Sequence, residues 1–526
     1  MADASDWQRL TDAHIAAAVN PRNPNNVLAS QNDYRRGDGA CGADFSLDGG
    51  GHWGSELVPI GFTAPGFTGA RHYWDASGDT SVAFDASGEA YLLCQAFNRG
   101  APTSDVNVAA SGIFLFRSAD GGASWSFPGS PVVQSDGTGA DGIGLLDKPY
   151  MTVDAQSRSP WRDRVYAAWI PYNTAFTAAP VAFAWSADHG ASWHQSGTIG
   201  GTSAVLCPVN LSGAPAGTCD NNQFPQPFVA PNGDVYVVFQ NFNNALTGPA
   251  DNHNQMLIVK STDGGSTFGA PVKVTDFYDL PDCLTYTGHD AGRACVPTAP
   301  LSDRSIFRAT DYPVGVAATS KTVAVTFGSY LNRHSNPRLG NCVPAGLSAT
   351  TFLNLYRGVG VVDGCNNDIV LSVSTNGGAS FTGTATPPWN LPSVSDENPK
   401  AQLADQWWQW AALTPRGGLA VSYYDRKYGK DQRNGFMDFT LRRGNGAHVR
   451  VTNRSVPPTN EFAEPGASTG IFLGDYTGLA VGSDGMAHPV WTDTRNPVYA
   501  TSPGPDPRVL VQAGFGGDIY TRRLPA

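Results

Sequence analysis

The sequence predicts an all-β protein of the β-propeller type, and three observations support this prediction. Glycine (60 residues) and proline (38) are abundant, while charged residues make up only 15% of the 526 positions, which is typical of short strands joined by tight turns. A short turn sequence recurs five times along the chain. Between its copies, segments rich in valine and aromatic residues alternate with Gly, Asp and Asn turns.

The recurring turn starts with serine, has Asp or Asn two residues later and ends with tryptophan or phenylalanine. Its copies lie at residues 46–53, 118–125, 186–193, 261–268 and 374–381. The Asp or Asn side chain accepts hydrogen bonds from nearby backbone N–H groups, and the glycines supply positive φ angles. The terminal aromatic ring folds back into the sheet core. We therefore predict the same hairpin turn in successive sheets, between the third and fourth strands.

The segments around these turns predict seven four-stranded blades. Their inner strands start near Asp12, Gly78, Asp147, Gln223, Asp303 or Asp311, Asp405 and Gly474. Residues 7–10 would add the outermost strand of blade seven, so that N- and C-terminal strands close the ring and remove exposed sheet edges. A six-bladed ring with a separate β-element is the alternative.

The spacing of the repeats predicts long loops on a regular scaffold. It is about 60 to 95 residues, whereas propeller repeats usually have about 40–50. We expect one domain over residues 1–526. Its insertions lie at approximately residues 200–222, 276–302 and 331–367, and all of them should emerge on one face of the ring.

The eight cysteines predict disulfides and an oxidising compartment. Their spacing predicts disulfides between Cys207 and Cys219, Cys283 and Cys295, and Cys342 and Cys365. The two remaining cysteines, Cys41 and Cys94, would form the fourth. No Cys-x-x-Cys pair occurs, which argues against a zinc ribbon or a thioredoxin-type motif. The N-terminus shows no signal-peptide pattern, so secretion is inferred from the cysteines alone. Buried thiols in a cytosolic protein are the alternative.

Charge and hydropathy exclude several partners. The net charge of −11 offers no basic stripe for phosphates, so we expect no nucleic-acid partner. No apolar run has the length of about 18 residues that a membrane span needs. We expect a monomer.

Candidate functional residues gather where inner strands start and second strands end, because these points share one face of the ring, here called the upper face. Five aspartates fall at predicted inner-strand starts near the axis: Asp79, Asp147, Asp303, Asp405 and Asp475. The surrounding loops and strand ends carry His72, Tyr73, Arg333, His334, Trp407, Arg426 and Arg495. Ordered loops on a rigid scaffold are where binding sites usually lie.

These residues also have structural interpretations. An inner-strand aspartate can simply accept hydrogen bonds from the neighbouring blade, and Trp407 can pack between blades. Histidines such as His72 and His334 can serve in proton transfer, but an exposed histidine is often inert. A ring of carboxylates could hold calcium, although no cofactor is required.

The five turns resemble the Asp-box, or bacterial neuraminidase repeat, of the sialidase-like propeller superfamily. That resemblance implies a six-bladed ring, three arginines that bind a sugar carboxylate, an aspartate acid/base and a Tyr–Glu nucleophile pair. The family's Phe/Tyr-Arg-Ile-Pro motif is absent here. Guanidinium groups for an acidic sugar could come from Arg304, Arg308, Arg333, Arg426 and Arg495. Tyr424 beside Asp425, or Tyr476 beside Asp475, could supply the nucleophile and a carboxylate.

Three functions remain open from the sequence. The first is a secreted sialidase-like glycoside hydrolase that acts on an acidic or decorated glycan at the upper-face funnel. The second is a uronate lyase in which His72 or His334 and a tyrosine perform β-elimination. The third is a non-catalytic propeller that binds glycan or protein, because a fold does not determine a function.

Overall fold

The computed structural model describes residues 11–34, 39–60, 74–98, 110–286, 293–301, 308–397, 404–428, 435–457, 473–501 and 510–526. For residues 11–14, 497–501 and 510–516 only the backbone is described. The regular secondary structure of the described part is almost entirely β-strand, as predicted.

The first four blades are antiparallel sheets of four consecutive strands. Blade one contains β1 (Thr11–Val19), β2 (Val27–Asp33), β3 (Ala40–Ser46) and β4 (Gly54–Leu57). Blade two contains β5 (Ala76–Phe84), β6 (Ala90–Phe97), β7 (Ser111–Ser118) and β8 (Val133–Ser135). Blade three contains β9 (Ile143–Val153), β10 (Val165–Asn173), β11 (Ala182–Ser186) and β12 (His194–Thr198). Blade four contains β13 (Asn222–Val229), β14 (Val235–Asn241), β15 (Asn254–Ser261) and β16 (Val272–Phe277).

The last three blades follow the same plan with variations. A short helix, α1 (Cys283–Tyr286), precedes blade five, which contains β17 (Pro313–Ala317), β18 (Val323–Ser329), an inserted hairpin of β19 (Val343–Leu347) and β20 (Asn354–Arg357), and β21 (Asp368–Ser374). After a 3₁₀ turn at Pro388–Asn390, blade six contains β22 (Gln406–Leu413), β23 (Leu419–Asp425), β24 (Asp438–Arg442) and β25 (His448–Arg450). The strands that follow are β26 (Gly474–Tyr476) and, in blade seven, β27 (Gly478–Val481), β28 (Met486–Thr501), β29 (Leu510–Thr521) and β30 (Leu524–Pro525).

The inner strands form a closed ring of seven. They contact one another in the order β1, β5, β9, β13, β17, β22 and β27, and β27 contacts β1 again. At this junction β26, which precedes blade seven in the chain, pairs in parallel with β1 of blade one. The ring confirms seven blades rather than six. Residues 7–10, predicted to add a strand to blade seven, lie outside the described residues.

The second strand of each blade is buried on both faces because blades stack on each other. All seven residues of β14 are buried, and so are all seven of β2. Such strands need apolar residues at successive positions, as in Val235-Tyr-Val-Val-Phe. This requirement explains why the sequence of each second strand is so easily recognised.

The five recurring turns share one hydrogen-bond pattern on the lower face of the ring. In blade two, Ser118 Oγ donates to Asp120 Oδ1 (2.7 Å) and accepts from the backbone N–H of Gly122 (2.8 Å). Asp120 Oδ1 also accepts from the N–H of Ser124 (2.9 Å). Equivalent bonds occur in the turns that start at Ser46, Ser186, Ser261 and Ser374. We refer to these five segments as the repeat turns.

Three of the four predicted disulfides are present. Cys41–Cys94 joins β3 of blade one to β6 of blade two, while Cys207–Cys219 and Cys342–Cys365 close loops before blade four and within blade five. Cys283 and Cys295 are buried together in one small cluster, and a disulfide between them stays a prediction. Among the described residues, the helices have neither the length nor the apolar composition to cross a membrane.

The Cys41–Cys94 disulfide should stabilise the ring more than Cys207–Cys219 does. Their sequence separations are 53 and 12 residues, and the longer loop restricts the unfolded chain more, by about 4 against about 3 kcal/mol. We expect the midpoint of thermal unfolding to fall further in Cys41→Ser/Cys94→Ser than in Cys207→Ser/Cys219→Ser. An equal or smaller decrease would contradict a dominant role for the link between blades.

Candidate functional site

Four inner strands share a local irregularity at their upper ends. Asp79, Lys148, Phe224 and Trp408 have φ angles of 51°, 49°, 51° and 50°. Each of these left-handed residues coincides with a shift of register against the second strand, which marks a β-bulge. A bulge increases the local twist and redirects side chains. The same position in blades two, three, four and six therefore has the same special backbone.

Charged side chains from three blades and one loop meet at the ring axis. Lys148 Nζ lies 2.6 Å from Asp475 Oδ2 and 3.3 Å from Asp79 Oδ2. An Arg308 guanidinium nitrogen lies 3.5 Å from Asp475 Oδ1. Asp147 interacts electrostatically with Lys148 and with both carboxylates. We call these five residues the axial cluster.

The carboxyl groups of the axial cluster have contrasting environments. Burial raises the pKa of Asp147, and the charges of Asp79 and Asp475 act in the same direction, although Lys148 opposes them. Burial also opposes the charge of Lys148, but the carboxylates of Asp475, Asp79 and Asp147 outweigh it and keep the pKa of Lys148 above its usual range. The cluster therefore combines an ammonium group, two carboxylates paired with it and one carboxyl whose pKa burial raises.

Aromatic side chains fill the axis beside the axial cluster. Tyr150 packs against Trp410 (ring centroids 5.1 Å apart) and Tyr476 (6.2 Å), and Tyr312 packs against Phe224 (5.6 Å). Tyr312 also contacts Trp410 and Tyr476, both at 6.4 Å. Four of these rings come from blades three to six and the fifth from β26, and with Pro149 and Pro225 they line an apolar cavity beside Lys148. We call them the aromatic floor.

Several predicted site residues lie instead within the packing of blade six. Trp407 has no exposed surface and stacks on Tyr424 (5.5 Å), whose hydroxyl donates to the carbonyl of Thr492 (2.7 Å). Asp425 is also fully buried and accepts hydrogen bonds from Thr440 Oγ1 and the backbone N–H of Lys427, both at 2.9 Å. The structure does not bring these three side chains to the axial cluster.

The Arg426 guanidinium anchors an upper-face loop. It is 1% exposed, donates to the carbonyl oxygens of Pro297 (2.8 Å) and Val296 (3.4 Å), and lies 3.4 Å from Asp405 Oδ2. Asp405 Oδ1 also accepts from the N–H of Asn367 (2.9 Å). This pair therefore ties blade six to the segment 293–301.

Two further predicted groups lie in separate ion-pair clusters. His334 Nδ1 is 3.0 Å from Asp368 Oδ2 and its Nε2 is 3.7 Å from Asp396, which also lies 3.6 Å from Arg333. Burial raises the pKa of Asp368 to about 6, although His334 opposes the shift. Arg495 pairs through two nitrogens with Asp493 of its own strand.

The remaining predicted residues, His72, Tyr73, Asp303 and Arg304, lie outside the described residues. Conversely, the prediction missed Lys148 and most of the aromatic floor. The sequence signal that could have found them is a position shared by the inner strands. Asp79, Lys148, Phe224 and Trp408 all lie at the same register position relative to the second strand of their blade.

A buried carboxyl pair supports blade five close to this site. Asp279 Oδ1 accepts from the N–H groups of Leu280 (2.8 Å) and Asp311 (2.9 Å). Burial raises the pKa of Asp279 to about 7 despite these bonds. Burial and the nearby Asp279 also raise the pKa of Asp311 well above its usual range.

No protein-family model and no curated protein matches the sequence. Solved structures similar to this chain include a Dyadobacter fermentans protein of unknown function (14% identity, 80% of this chain and 92% of that chain, TM-score 0.39). They also include a Penicillium chrysogenum α-L-arabinanase in complex with arabinobiose (13% identity, 89% of this chain and 97% of that chain, TM-score 0.40). A third is a Trypanosoma rangeli sialidase in complex with sialic acid (12% identity, 81% of this chain and 53% of that chain, TM-score 0.35). At these identities and TM-scores, no conclusion about activity follows from the similarity. Fold and site together define a seven-bladed β-propeller with a charged centre over aromatic rings.

Removing the ammonium group of the axial cluster should destabilise the fold. Lys148→Met leaves the carboxylates of Asp79 and Asp475 without their cation, which we expect to lower the free energy of unfolding by about 3 kcal/mol. In Lys148→Met/Asp475→Asn, part of this loss should be recovered. Urea unfolding at neutral pH measures both, with the exposed Lys321→Met as control. A loss no larger than that of the control would contradict the ion-pair assignment.

The raised pKa of Asp279 predicts a pH dependence of stability. Between pH values of about 4 and about 7 the folded chain keeps a proton that the unfolded chain releases, so the free energy of unfolding should fall as pH rises. In wild type, this decrease in the free energy of unfolding should be on the order of 3 kcal/mol across the window. Asp279→Asn should abolish it. Urea unfolding across the window compares wild type with Asp279→Asn and with the exposed control Asp141→Asn. Identical pH profiles for all three proteins would show that Asp279 titrates normally.

Proposed function

We propose that this chain acts on glycans as a glycoside hydrolase and that the axial cluster is its active site. The observation that carries the proposal is the contrast between Asp147, whose pKa burial raises, and the carboxylates of Asp79 and Asp475, which pair with Lys148. Glycosidases need one carboxyl group as acid and a second as base or nucleophile. Environments that separate the pKa values of neighbouring carboxyls assign these roles.

In the proposed mechanism, Asp147 gives its proton to the glycosidic oxygen as the bond from this oxygen to the anomeric carbon breaks, and Asp475 or Asp79 faces the positive charge that develops there. Water then adds to the anomeric carbon and returns a proton to the Asp147 carboxylate. The ammonium of Lys148 pairs with those two carboxylates. Tyr476 has its ring in the aromatic floor beside them, where it can contact the sugar. Aromatic rings provide apolar faces against which the C–H side of a sugar packs and from which water is excluded.

The charge of the axial cluster favours a neutral or decorated glycan. Among the described residues, three carboxyl groups face two cations, Lys148 and Arg308, and both cations contact Asp475. Within the described part of the axial cluster, the positive charges do not outnumber the carboxyl groups, so none is left over for a sugar carboxylate. The arginines predicted for that role, Arg333, Arg426 and Arg495, each pair with a carboxylate elsewhere.

We further propose that the chain functions in an oxidising compartment, as a secreted protein. Three disulfides support this proposal, since such bonds persist where thiols are not kept reduced. The hydrogen-bond pattern of the repeat turns fits the Asp-box that the sequence resembles. A single domain over residues 1–526 and a monomeric state remain predictions.

A glycan-library screen tests the proposed reaction. Wild type should release new reducing ends from at least one glycan, and Asp147→Asn and Asp475→Asn should each lower the rate by about 10²–10⁴-fold. Asp141→Asn, an exposed carboxyl in the loop before β9, is the matched control and should keep full activity.

Other outcomes would contradict hydrolysis at this site. Ultraviolet-absorbing unsaturated uronates would indicate a lyase, and glycan binding without any product would indicate a binding protein. Full activity in Asp147→Asn and Asp475→Asn would show that the reaction takes place elsewhere.

A further inference from the structure

Four metal-compatible side chains meet on the lower face, between blades two and three. Asp85 and Glu89 lie in the turn between β5 and β6, Tyr91 lies on β6, and His189 lies in the repeat turn of blade three. His189 Nδ1 is 3.5 Å from Glu89 Oε2 and 3.8 Å from Asp85 Oδ2. The ligand atoms of Asp85, Glu89 and His189 all lie within 4.8 Å of one another. We call these four residues the lower-face cluster.

His189 occupies a backbone position that suits glycine. Its φ is 59°, and the equivalent residues of the other repeat turns are Gly49, Gly121, Gly264 and Gly377 with φ values of 75°, 76°, 70° and 73°. A left-handed backbone disfavours a residue with a Cβ atom. The imidazole therefore has no role in forming the turn, which four glycine-containing copies form without it. It lies end to end with the ring of Tyr91 instead, with ring centroids 6.3 Å apart and an interplanar angle of 4°.

The two carboxylates are already oriented toward the imidazole. Asp85 Oδ1 accepts the N–H groups of Ser87, Gly88 and Glu89, each at 2.9 Å, which leaves Oδ2 directed toward His189. Arg117 donates to Glu89 Oε1, which leaves Oε2 directed toward His189 as well. Fixing one oxygen in this way orients the other, as the outer partners of metal ligands do.

Tyr91 completes the lower-face cluster as a hydrogen-bond donor. Its hydroxyl oxygen is 3.0 Å from Asp85 Oδ2 and 2.5 Å from His189 Nδ1. The same hydroxyl is 3.4 Å from Glu89 Oε2, so a cation held by one imidazole nitrogen and two carboxylate oxygens would replace its hydrogen bonds to these three atoms. The side chain of His189 is 42% exposed, which gives an ion access.

The donor set fits zinc better than calcium or magnesium. Imidazole suits zinc and similar transition metals, whereas calcium and magnesium prefer oxygen ligands alone. With bonds of about 2.0–2.1 Å, the ligands of tetrahedral zinc lie about 3.3 Å apart. The observed separations of 3.5 and 3.8 Å need only small side-chain movements to reach this value.

We propose that Asp85, Glu89 and His189 bind a divalent transition-metal ion of the zinc type, which joins blades two and three on the face opposite the axial cluster. Water occupies the remaining coordination position. The site is independent of the proposed glycan chemistry.

Titration of the untagged full-length chain with zinc chloride tests this proposal. After chelator treatment and dialysis, calorimetry should show one zinc ion bound per chain at the lower-face cluster and a rise in the midpoint of thermal unfolding. His189→Gly restores the residue found in the other four repeat turns and should fold at least as stably without metal. It should lose about 100-fold or more in zinc affinity and the zinc-dependent rise.

His52→Ser is the matched control. His52 also lies in a repeat turn and contacts a carboxylate, Asp48 (2.6 Å), but the equivalent residues elsewhere are Ser124, Ser192, Thr267 and Ser380. It should bind zinc as wild type does, and calcium chloride should not displace the ion. Unchanged zinc affinity in His189→Gly, absence of stoichiometric binding to wild type, or displacement by equimolar calcium would each overturn the proposal.

Discussion

Each blade of this ring has to bury both of its faces against its neighbours, and the arrangement of polar groups follows from that constraint. The second strands satisfy it with apolar residues at successive positions, as in β14, where every residue is buried. Inner strands cannot do the same at their upper ends, because there they face the axis rather than another sheet. Polar side chains are therefore concentrated where seven strand ends converge, and they have to form hydrogen bonds and ion pairs with one another.

Lys148 shows how the charged groups at the converging strand ends are stabilised. An ammonium group that is only 14% exposed needs compensating charge, and Asp79 and Asp475 provide it from blades that are distant in the sequence. Burial raises the pKa of Asp147, and the same carboxylates act in the same direction. A structural ion pair and a chemically useful acid thus arise from one set of charges, and neither can be altered without the other.

The sequence predicts the features that depend on local chemistry. The repeat turns follow from serine, aspartate and glycine at fixed spacing, and three disulfides follow from the positions of their cysteines. Asp79, Asp147, Asp475 and Arg308 meet near the axis, where the order of strands had placed the aspartates. Trp410 rather than Trp407 reaches the aromatic floor, because the bulge between them changes which side of β22 each residue faces. Such a bulge has no sequence signature here, since its left-handed residue is Trp408 rather than glycine.

The aromatic floor also determines what lies below the charged groups of the axis. Five rings, four of them from blades three to six and one from β26, contact one another where the inner strands converge. Under the proposed function, a sugar that enters from the upper face would meet ring edges and faces below the carboxyl groups. Its polar hydroxyls and its C–H surface would then contact two chemically different layers of one site.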